Sequence, residues 1–404
     1  MVLDSVARTH PLVNAASARV RAARGSRSAA RAFANPMVDY QVENTRLPGG
    51  GAPTMDREAM TLVTLPLEEL YQRGPRVRRA GAELRAAEAD AAVTGQQLAF
   101  DAARAYFRTA LAEAGLDASR EVAAWLDTVV AYNKARVREG VTAEADLIRS
   151  EVERDRAASD AALAAAELAR AGADLAAFLG DPVPESPATF VAIEDDPLPM
   201  PAAAGPTPGA GPPTVRAARE RAAAAGADIS AEQSMFIRQL GATIGTKQTE
   251  GTSTLVAGVN LPLPLFDQNR GQRERAIAER DAAEFELVAE QRAASAAVYG
   301  ATRAAQLLTE RATILAARDT GGRVTYLARA DESRRIALGT YREGAIPLFQ
   351  VIDAVRAAAD ARVAYYQLIY AQHEGIITLL LAEGAPLSSA SLGQRAATGA
   401  RDPR

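Results

Sequence analysis

The sequence contains no cysteine among its 404 residues. Disulfides, thiolate metal sites, a cysteine nucleophile and a lipidated cysteine are therefore excluded for this sequence. Aromatic residues make up only 5% of the chain, whereas 48% of it is hydrophobic and much of that fraction is alanine. Because alanine packs helices closely but fills a globular core poorly, long helices are favoured over a compact domain.

The sequence also lacks an excess of positive charge and any long apolar run. Its 46 basic and 50 acidic residues give a net charge of -4, so no nucleic-acid partner is expected. No stretch reaches the ~20 apolar residues of a membrane-spanning helix. Residues 1–8 do not show the basic-then-apolar pattern of a secretory signal. We therefore expect the export signal of an exported protein to lie outside the sequence given.

Signals for catalysis and for metal coordination are missing as well. The two histidines, His10 and His373, have no histidine or carboxylate at ligand spacing. The glycines at 49–51 are not followed by the Gly-Lys-Ser/Thr of a phosphate loop, and no serine lies in a nucleophile elbow. The sequence predicts no catalytic residue, no cofactor and no resident metal, and hence not an enzyme.

What the sequence does contain is a tandem repeat with an offset of about 200 residues. Three landmarks recur in the same order: Leu65-Pro66-Leu67 and Leu261-Pro262-Leu263, Arg138-Glu139-Gly140 and Arg342-Glu343-Gly344, and Gly180 and Gly384. Solenoid units are only ~20 to 50 residues long, so this repeat indicates two copies of a larger unit. We expect repeats at 1–180 and 213–384, a Pro/Gly-rich crossing segment at 181–212 and a flexible tail at 385–404.

Within each repeat the hydrophobic period changes from helical to alternating and back. Apolar and polar residues alternate over 38–43 and 239–245, which predicts two strands, each with one apolar face. Their partners are expected at 60–65 and 254–260, across turns at 48–53 and 247–253. The remaining sequence follows the spacing of coiled-coil helices. The predicted class is α+β, mostly α, with long coiled-coil helices and two β-hairpins.

Four strands with one apolar face are too few to close a β-barrel within one chain. Single-chain outer-membrane barrels use at least ~8 strands, and an open sheet in lipid leaves its edge amides without partners. A ring of identical chains would satisfy those amides, which predicts a cyclic homo-oligomer. The same alternation is also typical of a soluble sheet packed on helices, so that alternative stays open on these residues alone.

The segment at residues 261–271 has a distinctive order of residues. Leu261-Pro-Leu-Pro-Leu-Phe-Asp-Gln-Asn-Arg-Gly271 follows a predicted strand and opens a helix, and it resembles the signature of cation-efflux outer-membrane factors of the TolC superfamily. His10-Pro11, Asn35-Pro36, Glu43-Asn44, Gly140 and Gly344 are similar to the same family, so the likeness covers roughly residues 1–384. The resemblance implies a homotrimer whose subunits each give four strands to a twelve-stranded barrel, continued by a helical tunnel: a trimeric α/β-barrel channel.

The resemblance also implies a location and partners. The protein is expected in the outer membrane, in contact with its lipid, with the helical tunnel in the periplasm. Its partners would be a periplasmic adaptor protein and an inner-membrane pump of the resistance-nodulation-division type. The cargo would be metal cations or small compounds, passed on passively. A drug or type I protein secretion duct of the same fold is one alternative, and a soluble coiled-coil scaffold is another.

Two groups of site residues follow from the resemblance. The turns Gly140, Val141, Thr142 and Gly344, Ala345, Ile346 are the expected tips that meet the adaptor, with ordinary helix turns as the alternative. Asp146, Tyr341 and Asp353 are the expected tunnel aperture, with solvated aspartates as the alternative. Ile346 and Gln350 depart from the family pattern, where an arginine and an acid would stand, so a latch built from those groups is not expected.

The prolines beside the strands have a physical interpretation. Pro66, Pro262 and Pro264 have no amide donor, so neither strand nor helix hydrogen bonding continues through them. We expect these residues to form the junction between barrel and tunnel, which is a structural role.

Overall fold

The computed structural model describes residues 10–45, 55–141, 143–180, 196–201 and 211–385. The described elements are α1 (Pro11–Arg31), β1 (Met37–Glu43), β2 (Glu58–Pro66), α2 (Glu69–Arg138), α3 (Glu144–Leu179), α4 (Pro213–Ser234), β3 (Gly241–Thr249), β4 (Thr252–Asn260), α5 (Arg270–Leu315), α6 (Thr325–Arg342) and α7 (Leu348–Glu383). This order confirms the mostly α class with two hairpins. None of the described helices is long and apolar enough to cross a membrane. The predicted turn at 48–53, most of the crossing segment and the tail beyond Ala385 lie outside the described residues.

The duplication is visible element by element. Helices α3 and α7 both have 36 residues, and each is followed by a glycine with positive φ, 74° at Gly180 and 77° at Gly384. One difference breaks the symmetry, because α2 is a single helix of 70 residues whereas its counterpart is divided into α5 and α6. The boundaries proposed for the two repeats stay a prediction of the sequence.

The chain forms two compact units, and each unit combines segments of both repeats. The helical unit comprises residues 1–14, 94–212 and 293–404, and the sheet unit comprises 15–93 and 213–292. Equivalent segments therefore meet: α3 and α7 belong to the helical unit, and the two hairpins belong to the sheet unit.

In the sheet unit, four antiparallel strands lie in the order β1-β2-β3-β4. Paired residues project to the same side, so the register defines two faces. The apolar face carries no charge and comprises Val38, Tyr40, Val42, Ala59, Thr61, Val63, Leu65, Ala242, Ile244, Thr246, Gln248, Ser253, Leu255, Ala257 and Val259. The polar face carries every charged strand residue, namely Asp39, Glu43, Glu58 and Lys247. The predicted alternation is confirmed.

The turn predicted at 247–253 is wrong in length. Pairing continues from Lys247 opposite Thr254 to Thr249 opposite Thr252, which leaves a two-residue turn of Glu250 and Gly251. Both turn residues have positive φ, 47° and 84°. Turns of this kind match the twist of antiparallel strands. The sequence prediction failed because the polar ends of the strands have the composition of a loop.

The core of the helical unit depends on alanine at close helix contacts. One cluster joins α2, α3 and α7 through Leu98, Ala102, Ala103, Ala105, Phe107, Ala110, Leu175, Tyr370 and Ile377. A second cluster contains Leu126, Val129, Ala157, Tyr341, Leu348, Val351 and Ile352. Small side chains let the helices approach, and the larger ones fill the remaining space.

Two neighbouring buried residues of α7 fix the described part of the crossing segment, residues 196–201. The Gln372 amide donates to the Leu198 carbonyl at 2.7 Å, and its oxygen accepts from the Leu198 N–H at 3.0 Å. His373 Nε2 lies 3.0 Å from the Asp196 carbonyl oxygen, which only accepts, so Nε2 carries the proton. Nδ1 is buried without a hydrogen-bond partner among the described residues. Burial lowers the pKa of His373 below its ordinary value of 6.5.

Stability of the helical unit should therefore fall in mild acid. Because the folded state disfavours the imidazolium, the unfolded chain binds a proton at higher pH, and stability is lost as the pH falls below about 6.5. His373→Gln retains a donor for the Asp196 carbonyl and cannot titrate. We expect a smaller fall in Tm between pH ~7.5 and pH ~5 in this variant than in the unchanged protein. The fluorescence of Trp125, the sole tryptophan, reports the transition, and equal losses of Tm would contradict the assignment.

Candidate functional site

Helix α2 ends in a turn closed by Gly140. The Gly140 N–H donates to the Val137 carbonyl at 3.0 Å, and the Val141 N–H donates to the Arg136 carbonyl at 2.9 Å. This pair of bonds is the Schellman arrangement, which places the glycine in the left-handed region, here at φ 70°. No heavy atom lies within 4 Å of the place a Cβ would take. Glycine is thus favoured at this position for its backbone conformation and not for lack of space.

Helix α6 ends in a turn with the same hydrogen bonds. The Gly344 N–H donates to the Tyr341 carbonyl at 2.9 Å, and the Ala345 N–H donates to the Thr340 carbonyl at 3.0 Å, with Gly344 at φ 75°. Of the predicted tip residues, Gly140, Val141, Gly344 and Ala345 are exposed. Ile346 is half-buried and packs against the cluster that contains Leu348. Thr142 lies outside the described residues.

Tyr341, predicted at the aperture, is buried inside the protomer. Its hydroxyl donates to Asn133 Oδ1 at 2.8 Å, and its ring packs edge-on against Tyr132 with centroids 6.0 Å apart. Burial raises the pKa of Tyr341, so the hydroxyl stays protonated and donates. In this conformation Tyr341 joins α6 to α2 and does not present its hydroxyl at the surface.

The two predicted aperture aspartates are both exposed. Asp146 lies in the first turn of α3, where the positive end of the helix dipole favours a carboxylate, and Asp353 lies in the second turn of α7. Neither carboxylate forms an ion pair with the residues that the structure describes. Within that same part of the chain, no group of three or more acidic or histidine side chains could hold a metal ion.

Sequence reasoning missed the charged side chains that tie α6 and α7 to α2 and α3. Glu121 on α2 pairs with Arg334 on α6 at 2.5 Å and with Arg362 on α7. Asp331 lies 3.3 Å from Arg362, and Glu153 on α3 pairs with Arg356 on α7. The residues on α2 or α3 and their partners on α6 or α7 are 203 to 241 residues apart in sequence. No local pattern indicates such pairs.

The predicted junction prolines lie where the strands stop. Pro66 is the last residue of β2, opposite Gly241, and the N–H groups of Leu67 and Glu68 both point to the Leu240 carbonyl. Pro262 and Pro264 lie between β4 and α5, outside any strand or helix. Phe266, in the same connection, is fully exposed.

Asn269 anchors the end of the signature segment. It is buried, with a φ of 57°, and its amide donates to the carbonyl of Glu232 at 2.8 Å and to the Glu232 carboxylate at 2.9 Å. Its side-chain oxygen accepts from Arg238 at 3.1 Å, and Asp267 also pairs with Arg238 at 3.1 Å. The Asn269 carbonyl accepts from the Arg273 N–H at the start of α5. The signature thus joins the start of α5 to the last turn of α4.

Comparison with known proteins shows which proteins the chain is similar to. The family model described as "Outer membrane efflux protein" matches residues 2–181. The chain is 25% identical over 390 residues to the cobalt-zinc-cadmium resistance protein CzcC of Cupriavidus metallidurans, covering 91% of this chain and 85% of that protein. It is 26% identical over 286 residues to the nickel-cobalt-cadmium resistance protein NccC of Alcaligenes xylosoxydans, covering 69% of this chain and 63% of NccC. The match therefore spans less than two thirds of NccC.

The fold agrees with that similarity. The Campylobacter jejuni CmeC outer membrane channel superposes with a TM-score of 0.79 at 13% identity, covering 98% of this chain and 88% of that one. The fold is thus that of an outer-membrane channel protein. Residues 2–181 match the outer membrane efflux protein model, and the resemblance drawn from the signature segment is confirmed.

Replacing Asn269 tests the anchor. Asn269→Gly keeps the left-handed backbone but removes the two hydrogen bonds donated to Glu232 and the one accepted from Arg238, which costs about 1–3 kcal/mol of the free energy of unfolding. Asn269→Ala adds the left-handed strain of about 1–2 kcal/mol. We expect the order of stability to be unchanged protein, then Gly, then Ala, measured by denaturant titration in detergent.

Asn260→Ala is the matched control, because Asn260 is an exposed asparagine at the end of β4. Its effect should stay within about 0.5 kcal/mol. An Asn269→Ala variant as stable as the control would show that the signature asparagine anchors nothing.

Proposed function

We propose that the chain is one subunit of a homotrimeric outer-membrane channel, through which an inner-membrane pump of the resistance-nodulation-division type and a periplasmic adaptor export their cargo. The observation that carries this proposal is the four-stranded sheet with one uncharged face. Val38, Tyr40, Leu255 and Val259 on that face are 65% to 74% exposed. A soluble sheet packed on helices would bury this face, so its exposure favours a lipid-facing wall.

The strand order supports closure by several copies. Strands β1 and β4 form the two edges, and each has a strand partner on one side only among the described residues. In lipid the unpaired N–H and C=O groups of these edges must be satisfied. Pairing β1 of one copy with β4 of the next does so around a ring, and three copies supply twelve strands.

The two glycine turns are the surface we assign to the adaptor. Gly140, Val141, Gly344 and Ala345 are exposed, and both turns have the same backbone hydrogen bonds. Three copies would therefore offer six closely similar tips. We also propose that Asp146 and Asp353 lie at the tunnel aperture, with Tyr341 acting from inside the protomer by joining α6 to α2.

We propose that the prolines serve the change of direction between sheet and helices. Pro66, Pro262 and Pro264 lie at the ends of β2 and β4, where their missing amide donors stop the ladder. Asn269 then fixes the start of the next helix, as its bonds to Glu232 indicate.

Metal cations are the cargo we favour. The support is the likeness to CzcC and NccC, whose names state resistance to cobalt, cadmium, zinc and nickel. A drug or type I protein secretion duct is the second candidate, since the CmeC likeness concerns only the fold. In either case the pump supplies the energy and the channel carries no chemistry.

Expression in a strain that lacks its own metal-efflux channel tests the proposal. The protein, exported to the outer membrane, should restore growth in cobalt, zinc or cadmium when its pump and adaptor are present. It should also be extracted only in detergent, migrate as a heat-modifiable trimer and conduct ions in planar bilayers. A water-soluble monomer without conductance would overturn the channel and favour a scaffold.

Gly344→Pro tests the tip assignment. Proline fixes φ near −65° and has no N–H, whereas Gly344 has φ 75° and donates to the Tyr341 carbonyl. We expect metal tolerance to fall to that of the empty strain, while the heat-modifiable trimer persists.

Gly344→Asn is the control, because asparagine tolerates the left-handed conformation and keeps the N–H. It should retain most of the tolerance. Normal export by the proline variant would remove the support for an adaptor contact at this turn.

A further inference from the structure

The polar face of the sheet carries an unbalanced negative charge. It holds Asp39 and Glu43 on β1, Glu58 on β2 and Lys247 on β3, whereas the opposite face holds no charge. In the channel proposed above, the uncharged face meets lipid and the polar face lines the passage. The charges of the polar face therefore act on whatever passes.

One acid–base pair on this face is neutralised internally. Lys247 Nζ lies 2.6 Å from a Glu58 carboxylate oxygen, and Met60, the Cα partner of Lys247, separates Glu58 from the middle of the sheet. Thr249 also donates to Glu58. Glu43 lies opposite Glu58 at the hairpin end, close to residues outside the described part of the chain.

Asp39 differs because, in the part of the chain that the structure describes, no neighbouring side chain compensates its charge. It pairs with Leu62, which pairs in turn with Gly245, and its diagonal neighbours on β2 are Met60 and Thr64. Neither an ion pair nor a side-chain hydrogen bond joins Asp39 to the rest of the described chain. Lys247, the cation of this face, is already held by Glu58.

Closure of the ring does not supply the missing cation. β1 is an edge strand, so its second neighbour would be β4 of the next copy. The polar face of β4 consists of Thr252, Thr254, Val256, Gly258 and Asn260. None of these residues is charged, so no register that keeps the two faces aligned brings a cation of β4 beside Asp39.

We propose that Asp39 sets a preference for cations in the part of the passage enclosed by the sheet. The inference rests on the proposed function, because the ring of three carboxylates exists only in the closed trimer. Screening in solution acts over about 10 Å at 0.1 M salt, so ions that pass close to the wall feel each carboxylate. A ring of carboxylates concentrates cations and repels anions, as charged rings do in other pores.

The reversal potential in planar bilayers under a KCl gradient tests the proposal. The full-length trimer should show K⁺ more permeant than Cl⁻. Asp39→Asn, which keeps the side-chain shape, should shift the reversal potential towards that of an unselective pore. Asp39→Lys should shift it further, towards preference for Cl⁻.

The double variant Glu58→Gln with Lys247→Gln is the matched control. It removes one negative and one positive charge from the same face, so the reversal potential should stay unchanged. Each measurement is repeated with Asp146→Asn and Asp353→Asn also present, since those carboxylates lie in series with Asp39 in the proposed channel.

The outcomes separate the two proposals. Conductance with a reversal potential that neither Asp39 variant shifts, with or without the other aspartates, overturns the role of Asp39 and leaves the channel standing. An equal shift in the neutral-pair control also overturns it, because the wall would then respond to any change. A trimer without conductance overturns the channel, and the inference falls with it.

Discussion

Backbone hydrogen bonding at the edges of a four-stranded sheet is the constraint on which the rest of this structure depends. Strands β1 and β4 end the sheet on either side, and the uncharged face between them is exposed. Water can satisfy such edges but lipid cannot. In the channel proposed here, further copies of the chain would satisfy those edges by closing a ring.

The helices of the two repeats present two closely similar helix–turn–helix segments within one chain. Two turns with the same Schellman hydrogen bonds, at Gly140 and Gly344, are followed by helices of equal length that both end at left-handed glycines. In the proposed trimer, three subunits would present six closely similar helix–turn–helix segments. Polar contacts join α2 to α6 and α7 within one subunit. They are the hydrogen bond of Tyr341 with Asn133 and the ion pairs of Glu121 with two arginines. These contacts hold the two helix–turn–helix segments together and leave Asp146 and Asp353 exposed.

Local periodicity made much of this fold predictable from the sequence. The alternation at Val38, Tyr40 and Val42 indicated a strand and its apolar face, and the glycines after Arg-Glu indicated helix ends. The burial of Tyr341 and the ion pairs of Glu121 were not predictable, because their partners come from the other repeat and no periodicity connects them. The turn at Glu250 and Gly251 was misjudged since polar strand ends and loops share a composition.

The two repeats differ near the segment that connects them. The chain must pass from the first repeat to the second, and its described part there, residues 196–201, is held by Gln372 and His373. Arg318, in the break between α5 and α6, also pairs with Asp196 at 2.7 Å. Helix α2, at the equivalent place in the first repeat, is unbroken. The break between α5 and α6 therefore lies where the second repeat contacts the segment that connects the two repeats.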